Sequence, residues 1–123
     1  YMQKNGWGRV ITIGSTQQSK PHPEMLIYAA QKCAVRNVVQ NLAIQLAPEH
    51  ITLNNISVGT IYTDRNSQAL ENAQYHQKVK NDIPMRRIGV PADCVGTVLM
   101  LCSDAGSYVT GEDIHIDGGK FCF

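Results

Sequence analysis

Tyr28 and Lys32 stand four residues apart in a stretch whose apolar residues recur at helical spacing. That separation puts two side chains on one face of a helix, one turn apart. An ammonium beside a phenol favours the phenolate. A tyrosine tuned in this way can pass a proton near neutral pH. Ser15 follows a short β-branched run, Arg9-Val10-Ile11-Thr12-Ile13. A serine at the carboxyl end of a strand can hydrogen-bond a substrate oxygen, because ligands of open α/β sheets bind at such ends. Taken singly, each element also describes something ordinary: an exposed helical pair, or a loop hydroxyl.

The elements that must position these groups are readable. Residues 9–13 read as a buried strand that ends in a loop at Gly14-Ser15-Thr16. Pro21 and Pro23 make 17–25 a loop. The spacing predicts a helix over 26–47, with Ile27, Ala30, Ala34, Val38 and Leu42 on its apolar face and Val35, Val39 and Leu46 widening it. Ile51 to Val58 reads as a second strand, closed by Gly59-Thr60. Residues 61–82 are polar and mixed, with short helices expected around 67–80. A helix follows Pro91 with Val95, Val98, Leu99 and Cys102 as its apolar face. Glu112 to Asp117 reads as a third strand. The order strand, helix, strand, helix, strand is α/β, and the long crossovers imply parallel pairing.

Composition narrows the function classes. The chain has 123 residues, 43% hydrophobic and 17% charged, with 11 basic and 10 acidic residues and a formal net charge of +1. Near-neutral charge offers no electrostatic case for nucleic acid or an anionic membrane. No apolar run is long enough to span a bilayer. Cys33, Cys94, Cys102 and Cys122 are irregularly spaced, so free thiols and a cytoplasmic setting are expected. Gly14-Ser15-Thr16 lacks the Gly-x-Ser-x-Gly turn of a serine hydrolase.

Ser15 lies thirteen residues before Tyr28, and Lys32 completes a Tyr-x-x-x-Lys element. Asn54-Asn55-Ile56-Ser57-Val58-Gly59-Thr60-Ile61-Tyr62-Thr63 follows, then Ile83 to Asp93, then Tyr108-Val109-Thr110-Gly111 and Asp117-Gly118-Gly119. In this order the chain resembles the carboxyl-terminal half of a short-chain dehydrogenase/reductase (SDR). The resemblance implies a Rossmann-like, doubly wound parallel sheet of which residues 1–123 hold strands five to seven of seven, with a substrate lid at about 64–90. It implies an oxidoreductase moving a hydride between NAD or NADP and a small alcohol or carbonyl, with a sugar, polyol or hydroxy acid suggested by the polar site mouth. Ser15 would polarise the reacting carbonyl, Tyr28 would be the general acid or base, and Lys32 would support Tyr28 and bind the nicotinamide ribose. Gly59, Ile61 and Thr63 would flank the nicotinamide, Ser15, Gln17 and Tyr62 would meet substrate, and no metal is expected. Gln18 is a second candidate beside Gln17, and His76 a lesser one in the lid.

The expected partners are the missing amino-terminal half, a small-molecule substrate, and further copies in a homodimer or homotetramer. The stripe Val35, Val38, Val39 and Leu42 would be core in a lone domain, whereas the resembled family packs that helix across a subunit interface. The glycine-rich phosphate turn is not present, since Gly6-Trp7-Gly8 precedes a strand instead of following one. Three positions depart from the family pattern: Val58 stands where proline is usual, and Gly14 and Gln31 stand where serine is frequent. The competing reading is a non-catalytic scaffold that keeps the oligomerising half of the fold. Asp113, His115 and Asp117 alternate on one strand and are expected to be structural. Trp7 is expected to pack beside the strand start, and Arg86-Arg87 to be solvated or at an interface.

Overall fold

A computed structural model describes residues 1–20 and 22–122. Three parallel strands form the sheet: β1 (Gly8–Ser15), β2 (Ile51–Val58) and β3 (Asp113–Ile116), in the order β1-β2-β3. The helices are α1 (Met2–Asn5), α2 (Leu26–Leu46), α3 (Asp64–Leu70), α4 (Ala73–Asn81) and α5 (Ala92–Cys102). This is the Rossmann-like α/β arrangement expected from the alternation of elements.

β1 pairs with β2 from Gly8↔Ile51 through Ser15↔Val58, and β2 with β3 from Asn55↔Asp113 through Val58↔Ile116. The ladder thus runs past the predicted end of the first strand. β2 is eight residues long, and β1 pairs along its whole length, so Gly14 and Ser15 belong to the strand instead of the loop. Ser15 is its last residue and is buried.

α2 begins and ends close to its predicted limits. Pro48 lies in a single 3₁₀ turn after it, and His50 then takes a left-handed backbone, φ 60°, that turns the chain into β2. Val39 and Ala43 pack with Ile51 and Leu53, flanked by Val10 and Leu46. The helix face differs in part from expectation. Val39 and Leu46 pack in the core as expected, but Ile27 is 69% and Val38 54% exposed, while Ala29 and Ala43 are buried in their place. Apolar and uncharged polar residues alternate around the whole circumference of α2, so periodicity could not say which side meets the sheet. The same holds for α5, where Leu101 is fully buried and Leu99, on the predicted stripe, is 63% exposed.

A second, smaller cluster lies away from the sheet. Leu70, Val79 and Ile83 pack together with Ile88, binding α3 and α4 to the segment that follows them. Among the described residues the four cysteines are free. No helix among them is long and apolar enough to cross a membrane. Trp7 is half exposed, with the Arg9 guanidinium 5.0 Å from its ring centroid.

Candidate functional site

Ser15 closes β1 and opens a one-turn 3₁₀ helix, Thr16–Gln18. The Gln17 N–H donates to Ser15 Oγ at 3.2 Å, and the Ser15 N–H donates to Gln18 Oε1 at 3.4 Å. This is a reciprocal capping box, which satisfies donors that the turn would otherwise leave open. A hydroxyl that accepts through its oxygen still has its own proton to donate.

The long helix is tied to this corner by successive turns. Lys32 Nζ donates to the Ile13 carbonyl at 2.7 Å, two residues before Ser15. The same nitrogen lies 5.7 Å from the centroid of the Tyr28 ring. Cys33 Sγ donates to the Gln18 carbonyl at 3.1 Å, and Arg36 Nη1 reaches Ser19 Oγ at 3.4 Å. Lys32, with Tyr28 one turn away, therefore lies beside the last residues of β1.

The segment after β2 is fixed from both sides. The Gly59 N–H donates to Ile116 O at 3.0 Å, and any β-carbon at Gly59 would lie 2.8 Å from Asp117 Cα. Only glycine allows so close a crossing. Gly89 N donates to Thr60 O and Tyr62 N to Gly89 O, an isolated parallel bridge centred on Ile61. Asn66, which the sequence reading passed over, holds the next three residues. Its Nδ2 donates to Ile61 O at 2.8 Å and its Oδ1 accepts from Thr63 N at 2.9 Å. Tyr62 and Thr63 are exposed. Gln17 presents an amide oxygen that is buried without a partner among the described residues.

Beneath Ser15 lies a polar network that the sequence reading missed. The Asp113 carboxylate is 6% exposed. Its Oδ1 accepts from Ser57 Oγ at 2.6 Å and Asn55 Nδ2 at 2.7 Å. Its Oδ2 accepts from Gln18 Nε2 at 2.7 Å and lies 3.4 Å from Arg36 Nε. Gln18 Nε2 also donates to Ser57 Oγ at 2.7 Å, and Thr12 Oγ1 to Asn55 Oδ1 at 2.6 Å. Gln18 is thus occupied internally, unlike the substrate contact considered for it. One signal was available: Asn55 and Ser57 fall inside a fully buried strand, and buried polar groups are bonded. His115 stacks on Phe121 at 4.2 Å, and Asp117 lies beyond β3, accepting from the N–H groups of Gly119 and Phe121. No group of three or more metal-ligating side chains is found among the described residues.

Arg87 and Asp93 form a two-pronged ion pair, with both N···O distances 2.7 Å. Asp93 Oδ2 also accepts from the Val90 N–H at 2.7 Å. The Arg87 hydrogen bonds, then the Val90 N–H, pull the Asp93 carboxyl down from 3.8 to about 2. Thr60, Ile61, Gly89, Asp93, His115 and Asp117 are among the lining of a cavity of about 340 Å³. Lys20, Arg86 and Lys120 line a second, of about 540 Å³, together with Asp82.

Residues 1–120 match the family model described as enoyl-(acyl carrier protein) reductase. The chain is 36% identical over 120 residues to the 3-oxoacyl-(acyl-carrier-protein) reductase FabG of Aquifex aeolicus, covering 98% of this chain and 48% of that protein. It superposes on a gluconate 5-dehydrogenase from Burkholderia cenocepacia, in complex with NADP and tartrate, with TM-score 0.94 and 28% identity. That match covers 99% of this chain and 48% of the other. It also superposes on an NADP-bound 3-oxoacyl (acyl-carrier-protein) reductase from Agrobacterium tumefaciens, with TM-score 0.91, 35% identity, and 95% and 46% coverage. The chain therefore spans about half the length of the relatives it matches. On the order of its motifs, the matched family model and the shared fold, the chain belongs to the short-chain dehydrogenase/reductase family.

Proposed function

We propose that the intact protein is an NAD(P)-dependent oxidoreductase acting on a small alcohol or carbonyl, and that these residues form the carboxyl-terminal half of its single dinucleotide-binding domain. The observation that carries this reading is Lys32 joining Tyr28 to the carboxyl end of β1, two residues from Ser15. The bound nicotinamide supplies or takes the hydride. Tyr28 Oη gives its proton to the reacting oxygen in reduction and takes it back in oxidation. Ser15 donates its free hydroxyl proton to the same oxygen. Lys32 uses one of its three N–H donors on Ile13, which leaves donors for a ribose hydroxyl. Gly59, Ile61 and Thr63 hold the nicotinamide, and the Asn66 bonds give that segment one conformation. This set of open donors around a strand end fits the nicotinamide–ribose portion of the cofactor.

Residues 64–90 act as the substrate lid. Their helices pack on a cluster distinct from the one on the sheet, and the Met85 N–H bond to Gly118 O ties the end of the segment to the turn after β3. Gln17 and Tyr62 face the substrate in this reading. The cations Lys20, Arg86 and Lys120 around one cavity favour a hydroxy acid or sugar acid over a neutral polyol. The tartrate in the related gluconate 5-dehydrogenase is such an anion. Ile27, Val38 and Ile44 lie exposed on α2 and favour a homodimer or homotetramer built on that helix.

The test is reduction of NAD⁺ and NADP⁺ by the intact protein across hydroxy acids, sugar acids and neutral polyols, followed by the absorbance of the reduced nicotinamide. Turnover that is lost in Tyr28→Phe supports the reading. Absence of both turnover and NAD(P) binding would leave the exposed α2 face as the functional feature, and the protein as a non-catalytic scaffold.

A further inference from the structure

Gly14 and Gln18 flank Ser15 in the chain, and Asp113, 95 residues beyond Gln18, meets them beneath it. An added β-carbon at Gly14 would lie 2.8 Å from Asn55 Oδ1 and 2.9 Å from Gln18 Oε1, so the space a side chain would fill holds these two amides. The Gln18 amide has one acceptor and two donors. Its donors meet Ser57 Oγ and Asp113 Oδ2, and its acceptor meets the Ser15 N–H. A carboxylate only accepts. Asp113 therefore fixes which end of the Gln18 amide faces it, and so which end faces Ser15. Were the amide turned over, two N–H donors would point at the Ser15 N–H.

We infer that Asp113 is a positioning residue that, through Gln18, holds the Ser15 turn in the conformation that leaves the Ser15 hydroxyl proton free for a substrate oxygen. The inference rests on the reading of Ser15 as the group that binds the reacting oxygen. Asparagine at 113 keeps only one of the two acceptor oxygens of the carboxylate. One of its ends would be an NH₂ group facing either the Gln18 amide or the donors of Asn55 and Ser57. Turning Asn55 over to compensate would make the Thr12 hydroxyl accept where it now donates, and would take the Asn55 donor away from Ser57 Oγ. Arg36 Nε lies 3.4 Å from Asp113 Oδ2 and sets a positive charge beside the buried carboxylate.

The experiment is a cycle in the intact protein of Asp113→Asn, Ser15→Ala and the two combined, with Val39→Ala as a core-destabilised control. Turnover is read with the hydroxy acid of highest activity, beside the dissociation constant of NADP⁺. Asp113→Asn should lower kcat roughly tenfold or more, as misaimed donors do, with cofactor affinity unchanged. It should add nothing in the Ser15→Ala background, because the two act through one group. Val39→Ala should lose stability and keep kcat. An equal loss from Asp113→Asn in both backgrounds would overturn the inference. Gln18→Ala leaves Asp113 its Asn55, Ser57 and Arg36 partners, and serves if Asp113→Asn does not fold.

If Ser15→Ala alone leaves turnover intact, the role of Ser15 fails, and amide hydrogen exchange then decides on Asp113. Exchange over residues 15–19 should quicken in Asp113→Asn and in Gln18→Ala, but not in Val39→Ala under matched stability. Unchanged exchange there would reject the positioning role.

Discussion

The ammonium of Lys32 lies 5.7 Å from the centroid of the Tyr28 ring, one helical turn along α2. Its hydrogen bond to Ile13 O joins that pair to the strand that ends at Ser15. If the pair moves a proton, Tyr28→Phe should lower kcat by about 10² or more, the scale of general acid–base catalysis. Cofactor affinity should be unchanged, since the ring remains. Lys32→Met should lower kcat and weaken NADP⁺ binding together. Steady-state kinetics with calorimetric titration of the cofactor separates the two effects. A Tyr28→Phe variant that keeps most of its turnover at saturating cofactor rejects the assignment.

Gly14 permits the polar network by being small. Alanine or serine there would press on the amides of Asn55 and Gln18. Overpacking of this kind costs about 1–3 kcal/mol, and Gly14→Ala should lower stability by that amount in urea unfolding. The bulkier Gly14→Ser, although it restores a residue frequent in the family, should do no better. A Gly14→Ser protein as stable as the parent would show that the amides can yield.

The parts of the fold that were legible in the sequence are those set by near neighbours. The helix over 26–46 carries its own periodicity, and β2 its own limits. Ser15, Tyr28 and Lys32 were singled out by their spacing together with the order of motifs that resembles the family. Two kinds of feature escaped. The inward side of α2 was placed only at Val39 and Leu46, because Ile27, Val38 and Ala43 are apolar too and only the sheet decides between them. The network was missed because Gln18 and Asp113 stand 95 residues apart, and only the register Asn55↔Asp113 brings them together. Asp113 looked like one of three alternating polar residues on one strand. Its importance comes from what β2 and the Ser15 turn place around it.

Asp93 makes a pH-dependent contribution of known sign. Its carboxyl is lowered from 3.8 to about 2, chiefly by the Arg87 hydrogen bonds and then by the Val90 N–H. A group depressed in the folded state stabilises it above the unfolded value and ceases to do so as pH falls through the folded one. The parent should therefore exceed Asp93→Asn in stability above pH about 4. The difference should shrink toward zero as the pH falls through about 2. Denaturant unfolding of both proteins across this range checks it. A difference that does not change with pH would mean that the ion pair contributes nothing beyond the shape of the turn.

Asn66 ties the lid helix α3 to the segment proposed to hold the nicotinamide. Its amide bonds Ile61 O and Thr63 N at once, so the positions of those two residues depend on one side chain. Asn66 itself lies at the start of the helix and is a member of neither hydrophobic cluster. Asn66→Ala should thus leave the sheet and the Tyr28–Lys32 pair in place while loosening residues 61–63. If that segment holds the cofactor, NADP⁺ affinity should fall roughly tenfold, equivalent to about 1.4 kcal/mol. The kcat at saturating cofactor should change far less, because the proton-transfer groups are carried by β1 and α2. Titration of NADP⁺ into the parent and the variant, with kinetics on both, distinguishes this from a role in the lid alone, which would raise KM for substrate and leave cofactor affinity intact.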